Sequence, residues 1–325
     1  MPESASLSRP LKTEELIMLV NMCDILKKSR EGRYGVVAPN ICNEDTARAA
    51  IEVAEENRAP LILDVIFNVN PDIPLFAHIC GKLARKASVP VALNLDHGGC
   101  FEHAMIALRA GFSSIMVDRS SLPYEENVAE VAELVKIAHA VGVSVEAELG
   151  HVGSGEQYDA DRNAGLTDPE QAKAYVEATG IDALAIAIGT AHGKYVGTPY
   201  LDFELLEKIY NEVEIPLVLH GGSGSGDENL ARATRMGITK VNIGTDLFQA
   251  GIDNLLARHG EIKRAHLGYQ LMTDGYKAKL LHYMKLFNQC GKALNVGEVT
   301  ERRIYGTAGT RNTGHFPWIF LQGTG

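Results

Sequence analysis

Cysteine is scarce in this chain and scattered. Five residues in 325, at positions 23, 42, 80, 100 and 290, are odd in number and include no C-x-x-C pair. That excludes a short disulfide framework and argues for a reducing, cytoplasmic setting. No apolar run approaches the roughly 18 residues a membrane span requires. The opening MPESASLSRP is polar and lacks the apolar stretch of a secretory signal. Basic residues are in deficit, 31 Lys and Arg against 41 Asp and Glu, for a net charge of −10. So acidic a surface disfavours non-specific binding of nucleic acid or anionic membranes, although a local site can still hold a small anion. Aromatics are only 6%, but 46% hydrophobic and 22% charged residues make an ordinary globular composition, which excludes disorder and low-complexity fibres. No G-x-G-x-x-G follows an early strand, which disfavours a doubly wound nucleotide-binding sheet.

What is present is a beat. Short apolar runs recur at YGVVA (34–38), LILDVIF (61–67), VPVALNLD (89–96), SSIMVD (113–118), VSVEAEL (143–149), ALAIAI (183–188), IPLVLH (215–220) and TKVNIG (239–244). Continuous apolar strands are buried on both faces, as parallel strands are. Stretches of helical period lie between them, among them 43–56, 101–110, 127–141, 168–179 and 203–211. Strand then helix, eight times over, predicts an α/β fold of the (β/α)8 TIM-barrel class. The expected organisation is an N-terminal extension with an amphipathic helix (1–30), a barrel (31–290) whose residues 247–290 read as helices, and a C-terminal tail (291–325).

Catalytic groups of such barrels sit at the C-terminal ends of the strands, and the polar residues fall there. Asn40 follows the first strand, Asp96 and His97 end the third, and Asp118 ends the fourth. Glu148 lies near the end of the fifth strand, and Gly-Thr-Ala-His192-Gly193 follows the sixth. His220-Gly-Gly222-Ser223-Gly ends the seventh, and Asn242 with Gly244-Thr245 closes the eighth. A single histidine in such a place reads most simply as a satisfied, partly buried side chain. Three at strand ends, His97, His192 and His220, read as a catalytic metal site with an open fourth position, for which Zn2+ is the default ion. Co2+, Mn2+ or Fe2+ are substitutes, and a monovalent cation is a further candidate. Asp118 and Glu148 are candidates for an auxiliary metal position or for holding the histidines.

The run HGGSGSG (220–226) precedes a helical stretch, so its backbone N–H groups and Ser223 suit a phosphate at a helix N-terminus. Gly222, Gly244, Thr245 and Asn40 are counted with it as ligand-binding candidates. Asp96, beside His97, suits proton transfer. The loop 148–165, rich in glycine and polar residues, suits a lid carrying Glu156, though an exposed acidic loop residue is an equal reading.

The motifs LDHG (95–98), IMVDRSSLPYEENV (115–128), EAELGHVGSGE (146–156), AIGTAHGKY (187–195), LVLHGGSG (217–224) and KVNIGTDL (240–247) resemble those of the class II, zinc-dependent ketose-bisphosphate aldolases. The resemblance runs from about Leu16 to Ala250. It implies reversible cleavage of a phosphorylated ketose to dihydroxyacetone phosphate and an aldehyde through a zinc-stabilised enediolate. It gives His97, His192 and His220 the zinc and Asp118 and Glu148 an alternative metal position. Asp96 is then the residue exchanging a proton with the aldehyde-derived oxygen, and Glu156 the loop residue that deprotonates dihydroxyacetone phosphate. Gly193, Gly222, Ser223, Asn242 and Thr245 would hold that substrate, Asn242 near its enediolate. A homodimer or homotetramer is implied as well.

Departures from the family pattern gather on the aldehyde side. Asn94 stands where a histidine is usual, and Arg119-Ser120-Ser121 replaces Gly-Ser-His. The second strand lacks its final Ser or Thr. Tyr276 stands near the place of an arginine that reaches a partner subunit's far phosphate. These changes predict a non-standard aldehyde, with Arg119 as a replacement charge if it points inward; the equal alternative is that Arg119 is a surface or structural residue and a different arginine, such as Arg311, reaches over. Two other readings use the same residues. One is a metal-dependent barrel hydrolase or epimerase, which needs an activated water but no phosphate loop. The other is an inactive sugar-phosphate binding protein, against which Asp96, Glu156 and the three histidines argue.

Overall fold

A computed structural model describes residues 18–155, 165–193, 195 and 199–293. Eight parallel strands alternate with helices as a (β/α)8 barrel. The strands are β1 (Val36–Pro39), β2 (Leu61–Ile66), β3 (Val91–Gly98), β4 (Ser114–Val117), β5 (Ser144–Leu149), β6 (Ala183–Ile186), β7 (Leu217–Leu219) and β8 (Ile238–Ile243). All eight coincide with the apolar runs read from the sequence. The described helices are α1 (Met22–Gly32), α2 (Glu44–Glu56), α3 (Ile73–Lys86), α4 (Phe101–Ala110), α5 (Tyr124–Ala140), α6 (Pro169–Thr179), α7 (Phe203–Glu212), α8 (Asp227–Arg235), α9 (Thr245–Arg258) and α10 (Ala265–Leu286).

Local chemistry starts these helices where it should. Asn43 and Thr46 form a reciprocal capping box at α2. Asp168 caps α6, whose first residue is Pro169. Every residue of β1 and of β4 through β8 is buried. Outward-facing side chains such as Val37, Leu63, Leu93 and Val145 pack beneath the helices. Inward-facing Val36, Ala38, Ile62, Ala92, Met116, Ala183, Ala185 and Val218 fill the barrel, and Met22, Ile25 and Leu26 of α1 join the same cluster.

One expectation is corrected at the N-terminal side. The amphipathic stretch 13–29 is not helical throughout, because residues 18–20 are extended. Val91 N–H donates to the Met18 carbonyl and Val20 N–H to the Val91 carbonyl, each at 2.9 Å. The helix starts only at Met22, where the Asn21 side chain accepts the Cys23 N–H at 2.9 Å. Pairing with β3 satisfies backbone groups that a helix would otherwise have to satisfy. The rest of the expected extension and the tail from 294 onward lie outside the described residues.

Sheet pairing runs from β1 through β8 and back down to β2. The seam between β1 and β2 is closed at their upper ends by the bridge of Asn40 with Asp64, where Ile41 N–H donates to the Asp64 carbonyl at 3.0 Å. All five cysteines are free thiols. No described helix is long and apolar enough to cross a membrane.

The two late helices meet through glycine. A Cβ on Gly275 of α10 would collide with the Ala250 carbonyl oxygen of α9, and one on Gly251 would meet the Met272 carbonyl. Neither backbone can retreat without moving a whole helix. Gly275→Ala is therefore expected to lower stability by about 1–3 kcal/mol, read as an earlier midpoint in urea denaturation. An unchanged midpoint would mean that the helix pair can slide.

Candidate active site

Asp96 and His97 are consecutive, and on a regular strand their side chains would face opposite ways. Here both face the upper mouth of the barrel. The pairing of β3 with β4 shifts between Leu95–Ile115 and Gly98–Val117, so β3 carries one extra residue. His97 takes a left-handed backbone with φ of 51°. Such a bulge re-aims a side chain, and a non-glycine residue in this region is a known cost of functional sites. The result puts His97 Nε2 3.8 Å from Asp96 Oδ1.

The structure brings the three expected histidines together. Ring centroids lie 4.8 Å apart for His97 and His192, 4.7 Å for His97 and His220, and 5.9 Å for His192 and His220. Each offers a ring nitrogen to one common point, all within 4.8 Å of one another. Their outer nitrogens have partners: His97 Nδ1 lies 2.9 Å from Asp118 Oδ2, and His220 Nε2 lies 2.8 Å from Glu146 Oε1. That leaves His97 Nε2 and His220 Nδ1 facing each other at 3.1 Å, while His192 Nε2 is buried with no hydrogen-bond partner. A tetrahedral ion with nitrogens at about 2.0–2.1 Å sets those nitrogens about 3.3 Å apart. The donor set, its spacing and the orphaned His192 nitrogen all fit a zinc-type ion. A second cluster, His97, Asp118 and Glu148, shares one histidine with the first. Glu148 Oε2 is buried there without a partner, while Oε1 accepts the Val152 N–H at 2.9 Å.

Electrostatics separate His192 from His97. Burial, then the charges of His220 and His97, press His192 down to about 4, so the ring is neutral near pH 7. Burial also disfavours charge on His97, but Asp96 and the Asp118 hydrogen bond outweigh it and lift the ring to about 9. Asp96 is fully buried, which alone would raise it. His97, His220, Lys240 and the Asn40 hydrogen bond hold it below the usual carboxylate range. Its two oxygens are fixed, Oδ2 accepting from Asn40 Nδ2 at 2.8 Å and Oδ1 from Asn242 Nδ2 at 2.9 Å. Asn40 thus reaches Asp96, with its Oδ1 against Gly244.

The glycine-rich segment forms a loop between β7 and α8. A Cβ on Gly222 would strike Val241, Ile243 and the Asn242 carbonyl, so only glycine permits this approach to β8. Ser223 Oγ accepts the Asp246 N–H at 3.2 Å. Helix α9 begins at Thr245 with no side-chain cap from Gly244, and of its leading N–H groups those of Asp246 and Leu247 are taken by Ser223 Oγ and the Gly244 carbonyl. Gly193 follows His192 with a φ of 84°. The stem of the loop after β5 is tied to the same place, because Gly155 N–H donates to the His192 carbonyl at 2.7 Å. Glu156, the next residue, lies outside the described residues.

Arg119 requires a correction. Its side chain is buried, with Nε 2.5 Å from Glu130 Oε2 and one terminal nitrogen donating to the carbonyls of Gly98 and Asp118 at 2.9 and 2.7 Å. Its guanidinium braces the ends of β3 and β4 and does not supply a ligand-facing charge. Tyr276 is likewise buried, its hydroxyl donating to the Asn40 carbonyl at 2.9 Å. Asn94 Nδ2 donates to Asp64 Oδ1 at 2.8 Å, and its Oδ1 is buried without a partner. Glu146, Lys240 and Asp64 form a polar layer to which the motifs assign no role. The available signal was charge inside otherwise apolar strands, with Glu146 two residues before Glu148 and so on the same face.

Fold and site together define a (β/α)8 enzyme with a tri-histidine cluster beside a glycine-rich loop. The family model "Fructose-bisphosphate aldolase class-II" matches residues 20–292. A fructose-bisphosphate aldolase of Geobacillus stearothermophilus is 38% identical over 283 residues, covering 85% of this chain and 99% of the relative. The Escherichia coli K12 protein YdjI is 38% identical over 264 residues, 80% of this chain and 94% of its own. The crystal structure of the YdjI aldolase matches with a TM-score of 0.78 at 33% identity, over 85% of this chain and 100% of that one. A Campylobacter jejuni fructose-bisphosphate aldolase, at 21% identity and a TM-score of 0.74, supports the fold alone. The chain belongs to the class II fructose-bisphosphate aldolase family. It is a carbon–carbon lyase of that class, and the class is generally metal-dependent.

Asp118 orients His97 through a single hydrogen bond. Asp118→Ala is expected to weaken divalent-metal binding by about 10- to 100-fold, measured by competition against a coloured chelator. Unchanged affinity would show that His97 needs no such support.

Proposed function

We propose that the protein is a zinc-dependent aldolase that reversibly cleaves a phosphorylated ketose into dihydroxyacetone phosphate and an aldehyde other than one gripped by a far-phosphate arginine. The observation that carries this reading is the convergence of His97, His192 and His220 on one point beside a buried, doubly anchored Asp96. An ion held by those three rings supplies Lewis-acid polarisation of the ketose carbonyl, the electron sink that carbanion formation requires.

The remaining steps belong to the chain's own residues. The glycine-rich loop and the start of α9, with Ser223, Gly193, Gly244 and Thr245, hold the phosphate of the dihydroxyacetone half. Asp96 is ionised and accepts the proton of the hydroxyl on the carbon that becomes the aldehyde. As the O–H bond breaks, that oxygen forms the new C=O, and the adjacent C–C bond gives its electron pair to the carbon next to the ketose carbonyl. Glu156 delivers a proton to that carbon and in the reverse direction removes it. Asn242, with its Oδ1 free of protein partners, holds a substrate hydroxyl on the dihydroxyacetone side. Asp118 and Glu148 keep the alternative metal position.

The aldehyde half departs from the family pattern. Arg119 is committed to Glu130 and two carbonyls, and Tyr276 to the Asn40 carbonyl. Neither is placed to grip a second phosphate. On this reading the second substrate is an unphosphorylated aldehyde or one carrying a different anion. A cytoplasmic homodimer or homotetramer completes the reading, checked by light scattering on the purified protein.

The test is a panel of phosphorylated ketoses assayed for release of dihydroxyacetone phosphate, with and without chelator. Chelator-sensitive release from a ketose other than fructose 1,6-bisphosphate is expected. Efficient cleavage of fructose 1,6-bisphosphate would overturn the aldehyde reading, and no release from any ketose would overturn the aldolase reading. Asp96→Ala should lower kcat by about 10²- to 10⁴-fold while zinc content stays at the wild-type level.

A further inference from the structure

We propose that Glu146 is a positioning residue, pinned by Lys240 and Asp64, which fixes the proton of His220 on Nε2 and so presents a bare Nδ1 to the metal. This rests on the reading of His220 as a metal ligand.

The argument is one of hydrogen-bond accounting in a dry space. Asp64, Glu146, Lys240 and His220 all have side chains at 0% exposure. Glu146 Oε1 lies 2.8 Å from His220 Nε2, and Glu146 Oε2 accepts from Lys240 Nζ at 2.9 Å. Lys240 Nζ lies 3.2 Å from Asp64 Oδ2, and Asp64 Oδ1 accepts from Asn94 Nδ2 at 2.8 Å. A carboxylate accepts only, so Nε2 must carry a hydrogen. The opposite tautomer would bury two acceptors face to face, which costs the desolvation of both. A neutral ring protonated at Nε2 has its lone pair on Nδ1. That nitrogen points at His97 Nε2, 3.1 Å away.

Lys240 makes the arrangement rigid. It holds the second oxygen of Glu146, so the carboxylate cannot rotate away from the imidazole. Asp64 engages the same ammonium from β2, on the other side of β1. The three residues thus set one ring nitrogen on β7 from three other strands, β5, β8 and β2. None of them belongs to either metal-binding cluster. They act through His220 and are not catalytic groups.

The Glu146→Gln variant separates this role from plain packing, because it keeps the shape. Its amide cannot serve both neighbours. With the oxygen toward His220, the NH2 group opposes the Lys240 ammonium. With the NH2 toward His220, Nε2 must lose its hydrogen and Nδ1 must gain one. The experiment uses metal-free full-length protein with 15N-labelled histidine. It reads the His220 tautomer by NMR, zinc affinity by chelator competition and folding by circular dichroism. The expected result is a proton on Nε2 in the wild type and about 10- to 100-fold weaker zinc binding in Glu146→Gln, with the wild-type circular-dichroism spectrum. A wild-type proton on Nδ1 overturns the proposal, even if the variant fails to fold. So does a folded variant that binds zinc as tightly as wild type. A wild-type protein that binds zinc in this way but cleaves no ketose would refute the aldolase reading and leave this inference standing.

Discussion

Four ionisable side chains, Asp64, Glu146, Lys240 and His220, occupy the barrel interior with no exposure to solvent. None could be there alone, since an isolated buried charge is strongly unfavourable. Removing one partner from such a set costs about 3–5 kcal/mol, because it strands the others. Burial raises Asp64 to about 7, only partly countered by Lys240. Burial opposes Glu146 as well, but Lys240 and His220 hold it low and ionised. This layer lies between the apolar plug contributed by α1 and the polar mouth above. It allows one protein to have a hydrocarbon-like lower barrel and a charged upper one without a gap between them.

The mouth obeys a related constraint. Among the described residues, several groups that would act on a ligand are each held by a second side chain or backbone group. Asn40 and Asn242 hold Asp96, Asp118 holds His97, and Val152 N–H holds one oxygen of Glu148. Buried polar atoms without partners are rare in folded proteins, and of the eight among the described residues three, His192 Nε2, Glu148 Oε2 and Asn242 Oδ1, belong to candidate site residues near the strand ends.

Much of this was legible in the residues. Parallel strands buried on both faces must be continuously apolar, so the eight strands could be read directly. The (β/α)8 rule then converted strand ends into a candidate site, which is why His97, His192 and His220 could be grouped although they lie far apart in the chain. Relations between side chains were not legible. Nothing local in VSVEAEL says that the first glutamate meets a lysine on β8, and nothing in VDRSS says that Arg119 turns back onto Glu130. The β3 bulge was equally hidden, because it is a mismatch between two strands and not a property of either. The start of α1 was missed for a similar reason: the pairing of residues 18–20 with Val91 competes with helical periodicity, and only the folded neighbour decides it.

The seam between β1 and β2 carries a consequence for how the enzyme comes into being. Asn40 closes that seam by pairing with Asp64, and its side chain also holds Asp96. Asp64 in turn holds Lys240 from the last strand. The residues that join β1 to β2, and β2 to β8, are therefore among those that order the site. A fragment lacking β8 would keep His97, His192 and His220 but lose the Asn242 bond to Asp96 and the Lys240 bond to Glu146. Closing the ring and ordering the centre thus draw on the same side chains.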